Sequence, residues 1–192
     1  GARAVKAVLD FWFADGPDTP RKAWFQRDDA FDAEIRAHFG PLVPAAREGA
    51  LDGWAATPEG ALALLILLDQ FPRNLFRGHP DAFASDPHAL ALARELVLRQ
   101  RMDLRVTPTQ RVFFYLPFEH AEDMAAQDLS VALFEGLRDH RAAAAPGGSI
   151  DYAWRHRVVI ARFGRFPHRN ATLGRDSTPA ELTYLAQPGA GF

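Results

Sequence analysis

Arginine, histidine and asparagine are concentrated near the end of the chain, in a stretch without acidic residues. Residues 160–175 read I-A-R-F-G-R-F-P-H-R-N-A-T-L-G-R, and the wider segment 152–175 carries six Arg and two His but no Asp or Glu. Guanidinium groups form planar, paired hydrogen bonds with carboxylates and phosphates, and glycines let a ligand approach the backbone closely. The stretch therefore predicts either an anion pocket or a structural set of ion pairs.

A shorter version of this pattern occurs earlier, where F-P-R-N (71–74) resembles F-P-H-R-N (166–170). Each motif follows a predicted helix end and each closes on Arg-Asn, so we expect both arginines to approach one point. The alternative is that they pair with nearby carboxylates and tie helix ends together. The ligand-binding candidates from the two stretches are Asp69, Arg73, Asn74, Arg165, Arg169, Asn170 and Arg175.

Acid–base chemistry is available in the segment 119–123, which reads E-H-A-E-D. On a helix, Glu119 and Glu122 share a face, and two carboxylates that share one proton can act as general acid or base. Together with His120 and His168, they are the catalytic candidates. Opposite the arginines, the same acids would form the other half of a structural set of ion pairs, and this interpretation is favoured for the acidic segment.

Three histidines could in principle meet at a metal, but their spacing matches no ligand signature. His156 lies on an apolar helical stripe and is interpreted as a buried histidine, with ligand binding as its candidate role. The chain has no cysteine, which excludes disulfides, thiolate catalysis and Cys-based zinc sites. Phosphate-binding and nucleophile-elbow motifs are missing as well. We therefore predict neither a metal nor a cofactor.

Composition places the chain among ordinary globular proteins. Its 192 residues are 48% hydrophobic and 24% charged, with a formal net charge of −2, which predicts one domain spanning residues 1–192. Nucleic-acid and membrane-surface binders usually carry a clear basic excess, so neither partner is expected. No signal peptide is recognisable, and a cytoplasmic location is predicted. The sequence leaves the oligomeric state open.

The elements that must position these residues are all predicted to be helices. Helix starts are expected near residues 57, 86, 107, 122, 149 and 178, from cap residues and Pro at the first helical position. Residues 61–68 are apolar on every side and predict a buried central helix that stops near Phe71-Pro72. The longest helix is expected from Glu122 to about Ala143. No stretch shows the alternation of a half-buried strand, so the fold class is all-α.

Several long blocks of the sequence resemble a bacterial family known as domain of unknown function 924. They are F-W-F (11–13), W-F (24–25), L-L-D-Q-F-P-R-N (67–74), L-P-F-E-H-A-E-D (116–123), R-F-G-R-F-P-H-R-N (162–170) and L-G-R-D-S-T (173–178). The resemblance covers nearly the whole chain and implies a tetratricopeptide-like helical fold of paired antiparallel helices, without an activity. The family pattern often has Ser where this chain has Ala121, which argues against a nucleophilic serine beside His120.

Two function hypotheses follow. The leading one is a binding module whose concave side presents Arg73, Arg165, Arg169 and Asn170 to a small anion or an acidic peptide. The alternative is an enzyme on a phosphorylated or carboxylated metabolite, in which arginines hold the substrate and Glu or His side chains move the proton. A third possibility is that the arginines serve stability alone, which predicts that they are fully buried with no cavity beside them.

Overall fold

The structure, a computed structural model, describes residues 1–192 and consists of helices and turns without a β-strand. The α-helices are α1 (Ala2–Trp12), α2 (Asp29–Phe39), α3 (Leu42–Arg47), α4 (Pro58–Leu65), α5 (Phe71–Leu75), α6 (Asp86–Ala93), α7 (Pro108–Glu119), α8 (Met124–Glu135), α9 (Arg141–Ala144), α10 (Ser149–Phe163) and α11 (Pro179–Leu185). The predicted all-α class is confirmed. The tetratricopeptide-like pairing and the single domain stay predictions.

Helix α4 is the buried centre that its apolar sequence predicts. Thr57 caps it by accepting a hydrogen bond from the Gly60 backbone N–H at 3.0 Å, and residues 61–72 are all buried. The predicted stop near Phe71-Pro72 is wrong, because the chain continues through a π-helical turn, Ile66–Gln70, directly into α5. Pro72 has no N–H to give to the preceding turn. The Ser85 hydroxyl donates to the Leu68 carbonyl oxygen instead, at 2.6 Å.

One hydrophobic cluster of 34 buried residues joins the first ten α-helices of the chain. Trp12 of α1 illustrates the packing, because its ring lies 5.6–5.7 Å from the rings of Phe31, Phe71 and Phe113. These rings come from α2, α5 and α7. Aromatic pairs at such distances stabilise a core beyond the area that they bury. The aromatic residues near the start of the chain therefore build core.

The predicted long helix from Glu122 to Ala143 is also wrong, since α8 ends at Glu135 with Gly136 as its C-cap. Glycine is a poor helix former, and the chain turns there before the short helix α9. Helix α10, with 15 residues, is the longest. It begins with Ser149, whose hydroxyl makes no hydrogen bond, so Ser149 does not cap it. The cap position belongs to Gly148, where a side chain would clash with three carbonyl oxygens.

Helix α8 packs against both α7 and α10, and this arrangement gathers three helix ends. The π-helical turn after α4 carries Asp69, the end of α7 carries Glu119 and His120, and the turn after α10 carries His168 and Arg169. The predicted helix starts near residues 107 and 178 are both present, and each carries a capping box. None of the helices combines the length and apolar character that a bilayer crossing requires.

Candidate functional site

Asp69 and His120 form a hydrogen-bonded pair at the centre of the gathered helix ends. Asp69 Oδ1 lies 2.8 Å from His120 Nδ1, and the Asp69 side chain is only 2% exposed whereas that of His120 is 13% exposed. Gln70 Nε2 donates to the other carboxylate oxygen at 2.8 Å. Asp69 lies within the π-helical turn, and such turns occur frequently at functional sites.

The protonation of this pair follows from its surroundings. Burial alone would raise the pKa of Asp69, but the positive charge that His120 carries when protonated, the charge of Arg73 and two side-chain hydrogen bonds bring it below its usual value. Burial, assisted by the Arg73 charge, lowers the pKa of His120. At neutral pH the pair is thus a carboxylate and a neutral imidazole, with the proton on Nδ1 and a lone pair on Nε2. That is the arrangement of a general base held by a carboxylate.

Arg73 forms ion pairs with the carboxylates of Asp86 and Asp69. Its guanidinium donates to both oxygens of Asp86, at 2.8 and 2.9 Å, and to the Asp69 backbone carbonyl at 2.7 Å. Burial opposes its charge, but Asp86 and Asp69 outweigh burial and raise its pKa. The guanidinium also lies over the Phe83 ring, 5.4 Å from the centroid. Arg73 therefore joins α5 to α6, which matches the structural alternative for this residue.

Arg169 is less completely paired. It is 6% exposed and donates one hydrogen bond, from Nη2 to the His120 backbone carbonyl at 3.0 Å. Its Nε is buried without a partner, and the nearest carboxylate, Asp86, is 3.9 Å from Nη1. Burial and the Arg73 charge lower its pKa to about 10. Its guanidinium lies over Phe83, at 4.5 Å, so the two arginines approach one ring, as their repeated motif predicts.

Glu119 and His156 form a second buried pair beside the first. His156 Nδ1 donates to the Tyr152 carbonyl at 2.7 Å, so its Nε2 carries a lone pair, which lies 3.7 Å from Glu119 Oε2. Burial, with the Asp69 charge, raises the pKa of Glu119 to about 8. Burial likewise lowers the pKa of His156 to about 3. Glu119 thus holds a proton at neutral pH, and its Oε1 has no hydrogen-bond partner.

The remaining acidic candidate, Glu122, forms an ion pair with Arg175. Arg175 donates to both its oxygens, at 2.8 and 3.0 Å, and the Phe166 backbone N–H donates a third bond at 2.7 Å. Burial would raise its pKa, but these hydrogen bonds hold the value below normal. Arg165 binds Glu181 in the same two-pronged way, at 2.7 and 2.8 Å. These contacts place Glu122, Arg165 and Arg175 in structural ion pairs.

The two asparagines of the repeated motif also hold structure together. Asn74 donates to Asp32 at 2.9 Å, whereas Asn170 donates to Ser177 at 3.1 Å and accepts from Arg175 at 3.0 Å. His168 is different, because its Nδ1 is buried without a partner. Burial and the Arg169 charge lower its pKa to about 4.

Sequence reasoning missed two residues of this site. Asp86 was interpreted as a helix cap, but it makes no capping hydrogen bond and instead holds Arg73. Phe83, over which both arginines lie, was not singled out, because a lone Phe in a polar loop carries no spacing signal. Asp86 lies near both arginines, and the sequence points to this position only if the two motifs are assumed to meet.

The surroundings of the site contain neither the geometry of a metal site nor one of two surface cavities of the protein. No group of three His, Asp or Glu side chains has the geometry of a metal site. Surface cavities of about 460 and 550 Å³ lie beside α1 and α10, and neither is lined by Asp69, His120 or Arg169. The side chains of His120, Arg73 and Asp86 stay 13%, 21% and 17% exposed.

The family profile described as "Bacterial protein of unknown function (DUF924)" matches residues 8–189. The chain is also similar to a solved structure from Agrobacterium tumefaciens, described as that of a protein of unknown function. The two are 43% identical with a TM-score of 0.86, and the similarity covers 96% of this chain and 98% of the other. Among curated proteins, none matches.

Proposed function

This chain belongs to the DUF924 family of bacterial proteins, and we propose that it is an enzyme in which His120 acts as general base on a small carboxylated or phosphorylated metabolite. The observation that carries the proposal is the 2.8 Å contact between Asp69 Oδ1 and His120 Nδ1. The buried carboxylate orients the ring and fixes its tautomer, and the lone pair of Nε2 is left for a proton of the substrate or of a water.

Arg169 supports the substrate class. A buried guanidinium with an unpartnered Nε and no carboxylate within 3.5 Å has donors left for an anionic group. Arg169 also holds the His120 carbonyl, so an anion on this guanidinium lies next to the base. Such a cation binds the negative charge of a substrate and stabilises charge that develops during the reaction.

Glu119 supplies the complementary acid. Because its pKa is about 8, it is protonated when His120 is neutral. The site thus contains a base and an acid at the same pH, as acid–base catalysis requires. Glu122 is assigned no proton transfer, since Arg175 holds both its oxygens.

The second candidate function is an anion-binding module without turnover. The unpartnered Nε of Arg169 favours it equally, and of the three predicted cleft arginines this is the one whose guanidinium makes no hydrogen bond to a carboxylate. An acidic peptide needs several cationic contacts, so a small anion is the better ligand for a single guanidinium.

The experiment begins with a thermal-shift screen of carboxylated and phosphorylated metabolites on the wild type and Arg169→Met. A ligand present at about a hundred times its dissociation constant stabilises the wild type by about 2.7 kcal/mol. We expect Arg169→Met to stay folded and to lose that shift. Each ligand that shifts the wild type is then incubated with the protein, and its consumption is followed by proton NMR.

Substitution of the base separates the two candidates. His120→Gln should lower the rate of consumption by about 10²–10⁴-fold, whereas His79→Gln, at an exposed histidine whose ring contacts Asp81 and not Asp69, should leave it unchanged. Binding without consumption by the wild type would favour the module. The enzyme proposal fails if His120→Gln consumes the ligand at the wild-type rate.

A further inference from the structure

A second concave surface lies outside the acid–base site, between α10 and the segment that follows α11. Its volume is about 550 Å³, and its walls include Trp154, Val158, Tyr184 and Phe192. Ligand sites for small molecules occupy about 300–1,000 Å³ and are lined mainly by hydrophobic and aromatic side chains. The cavity has both properties.

Large apolar side chains remain exposed on this cavity. Trp154 is 42% exposed, Val158 is 61% exposed and Phe192 is 48% exposed. Single exposed hydrophobic residues are normal, but several around one concavity indicate a binding surface. The Trp154 ring is held in place, because its Nε1 donates to Glu135 at 2.8 Å. An aromatic wall is therefore already in position before any ligand arrives.

The unpaired charged group at this cavity is a cation, the guanidinium of Arg155. Arg155 lines the cavity and makes neither a side-chain hydrogen bond nor an ion pair; its only partner is the Tyr152 ring, 4.8 Å from the guanidinium. The one side-chain carboxylate of the lining, that of Asp151, already accepts a hydrogen bond from the Gly147 backbone N–H at 2.7 Å. Arg155 thus has its whole fork free for a carboxylate.

We propose that this cavity binds a small aromatic carboxylate, with the ring against Trp154 and Phe192 and the carboxylate on Arg155. The size fits one or two fused rings, and the single cation matches a single acidic group. The proposal is independent of catalysis at His120. The two sites nevertheless adjoin, because the Phe192 ring stacks on His156, with ring centroids 3.7 Å apart.

Binding is measured with β-naphthoate as the probe and β-naphthylmethanol as its neutral match, by titration calorimetry on the full chain. Arg155→Gln removes the free cation. Arg162→Gln is the control, since Arg162 is another exposed arginine of α10 that lies over an aromatic ring, Phe163, but does not line the cavity. Val158→Trp fills the cavity from a position that is mostly exposed, so the fold should tolerate it.

We expect the wild type to bind β-naphthoate at submillimolar concentration and Arg155→Gln to bind it about tenfold more weakly, since a hydrogen bond to a charged group is lost. Arg162→Gln should match the wild type, and Val158→Trp should abolish binding. Histidine NMR locates the ligand, because the signals of His156, which stacks on Phe192, should shift while those of His79, which does not line the cavity, stay in place.

Three results would overturn the proposal. One is equal affinity for the acid and the neutral alcohol, which would make the cavity an apolar groove without acid recognition. Another is equal weakening by the two arginine substitutions. The last is a wild-type dimer in sedimentation experiments that Val158→Trp dissociates, which would assign this face to a second copy of the chain.

Discussion

The two Phe-Pro motifs of the chain differ in one respect that their sequences conceal. Arg73 and Arg169 lie over the same Phe83 ring, at 5.4 and 4.5 Å. Arg73 makes two hydrogen bonds to Asp86 and one to a backbone carbonyl. Arg169 has one backbone hydrogen bond and an unpartnered Nε. One motif therefore builds structure, and the other leaves a charged donor without a partner in the protein.

The same contrast extends to the acids beside the two arginines. Around Arg73, Asp69 has a lowered pKa and Asp86 accepts two hydrogen bonds from the guanidinium, which is how a protein retains buried charge at acceptable cost. Near the second motif, Glu119 is neutral and one of its oxygens has no partner. Unsatisfied buried groups destabilise a fold, and their concentration in one region is what a site adapted to a ligand would show.

The largest effect expected from this contrast concerns Glu119→Gln. The pKa of about 8 means that the folded protein keeps the Glu119 proton up to about pH 8, whereas the unfolded chain releases it near the ordinary glutamate value of 4.5. Between these values the folded state binds more protons, so this carboxyl lowers the free energy of unfolding as the pH rises. Since one pKa unit corresponds to about 1.4 kcal/mol, the loss approaches about 5 kcal/mol at most.

Urea unfolding of the wild type and Glu119→Gln across this pH range checks the prediction. The difference in unfolding free energy should grow in favour of Glu119→Gln as the pH rises from 4.5 to 8. The variant keeps the shape of the side chain, and comparison with the wild type cancels the titration of the neighbouring histidines. A difference that does not change with pH would mean that Glu119 is ionised in the folded protein.

The next effect sets the two arginines against each other. Arg73→Met leaves Asp69 and Asp86 without their cation, and removal of one partner from a buried pair costs about 3–5 kcal/mol. Arg169→Met removes a cation that has no close carboxylate, so its cost should be near that of one lost hydrogen bond, about 1–2 kcal/mol. Chemical denaturation of both variants measures the difference. Equal costs would remove the distinction between the two motifs.

The smallest effect concerns the ring that the arginines share. Phe83→Leu should destabilise by about 1–2 kcal/mol, since each cation–π contact contributes about 0.5–1 kcal/mol at partly exposed sites. A double-mutant cycle with each arginine variant isolates the two contacts. We expect the coupling to Arg169 to be the larger, because its guanidinium is closer to the ring and more deeply buried. A larger coupling to Arg73 would contradict this ranking.

Local chemistry made much of the fold predictable. Thr57, Thr107 and Thr178 cap helices where the sequence places them, because an N-cap and the proline after it act over a few residues. The prediction of a helix that runs to Ala143 is wrong because the helix ends at Gly136. The prediction of a stop at Pro72 is wrong because the hydroxyl of Ser85, which is distant in sequence, donates to the Leu68 carbonyl oxygen that Pro72 leaves without a partner. Such long-range compensation leaves no local signal.

The sequence predicts most residues of the candidate site, but it does not predict which arginine or histidine contacts which carboxylate. The convergence of the two arginine motifs could be inferred from their likeness. Which arginine holds a carboxylate could not, since Asp86 lies on α6 and the choice depends on how that helix packs against α5. The same holds for Asp69, whose contact with His120 joins residues 51 positions apart.

The contact between Asp69 and His120 depends on the direction in which side chains leave the helix, and the π-helical turn at Ile66–Gln70 sets that direction. A π-helical turn accommodates one residue more than an α-helical turn, and each residue of an α-helix rotates the chain by about 100°. Without the extra residue, every side chain after the turn would point about a quarter-turn away. Asp69 and Arg73 would then point away from His120 and Asp86, which they contact here. The insertion of a single residue into an otherwise uniform apolar helix is thus sufficient to aim a carboxylate at a histidine on another helix.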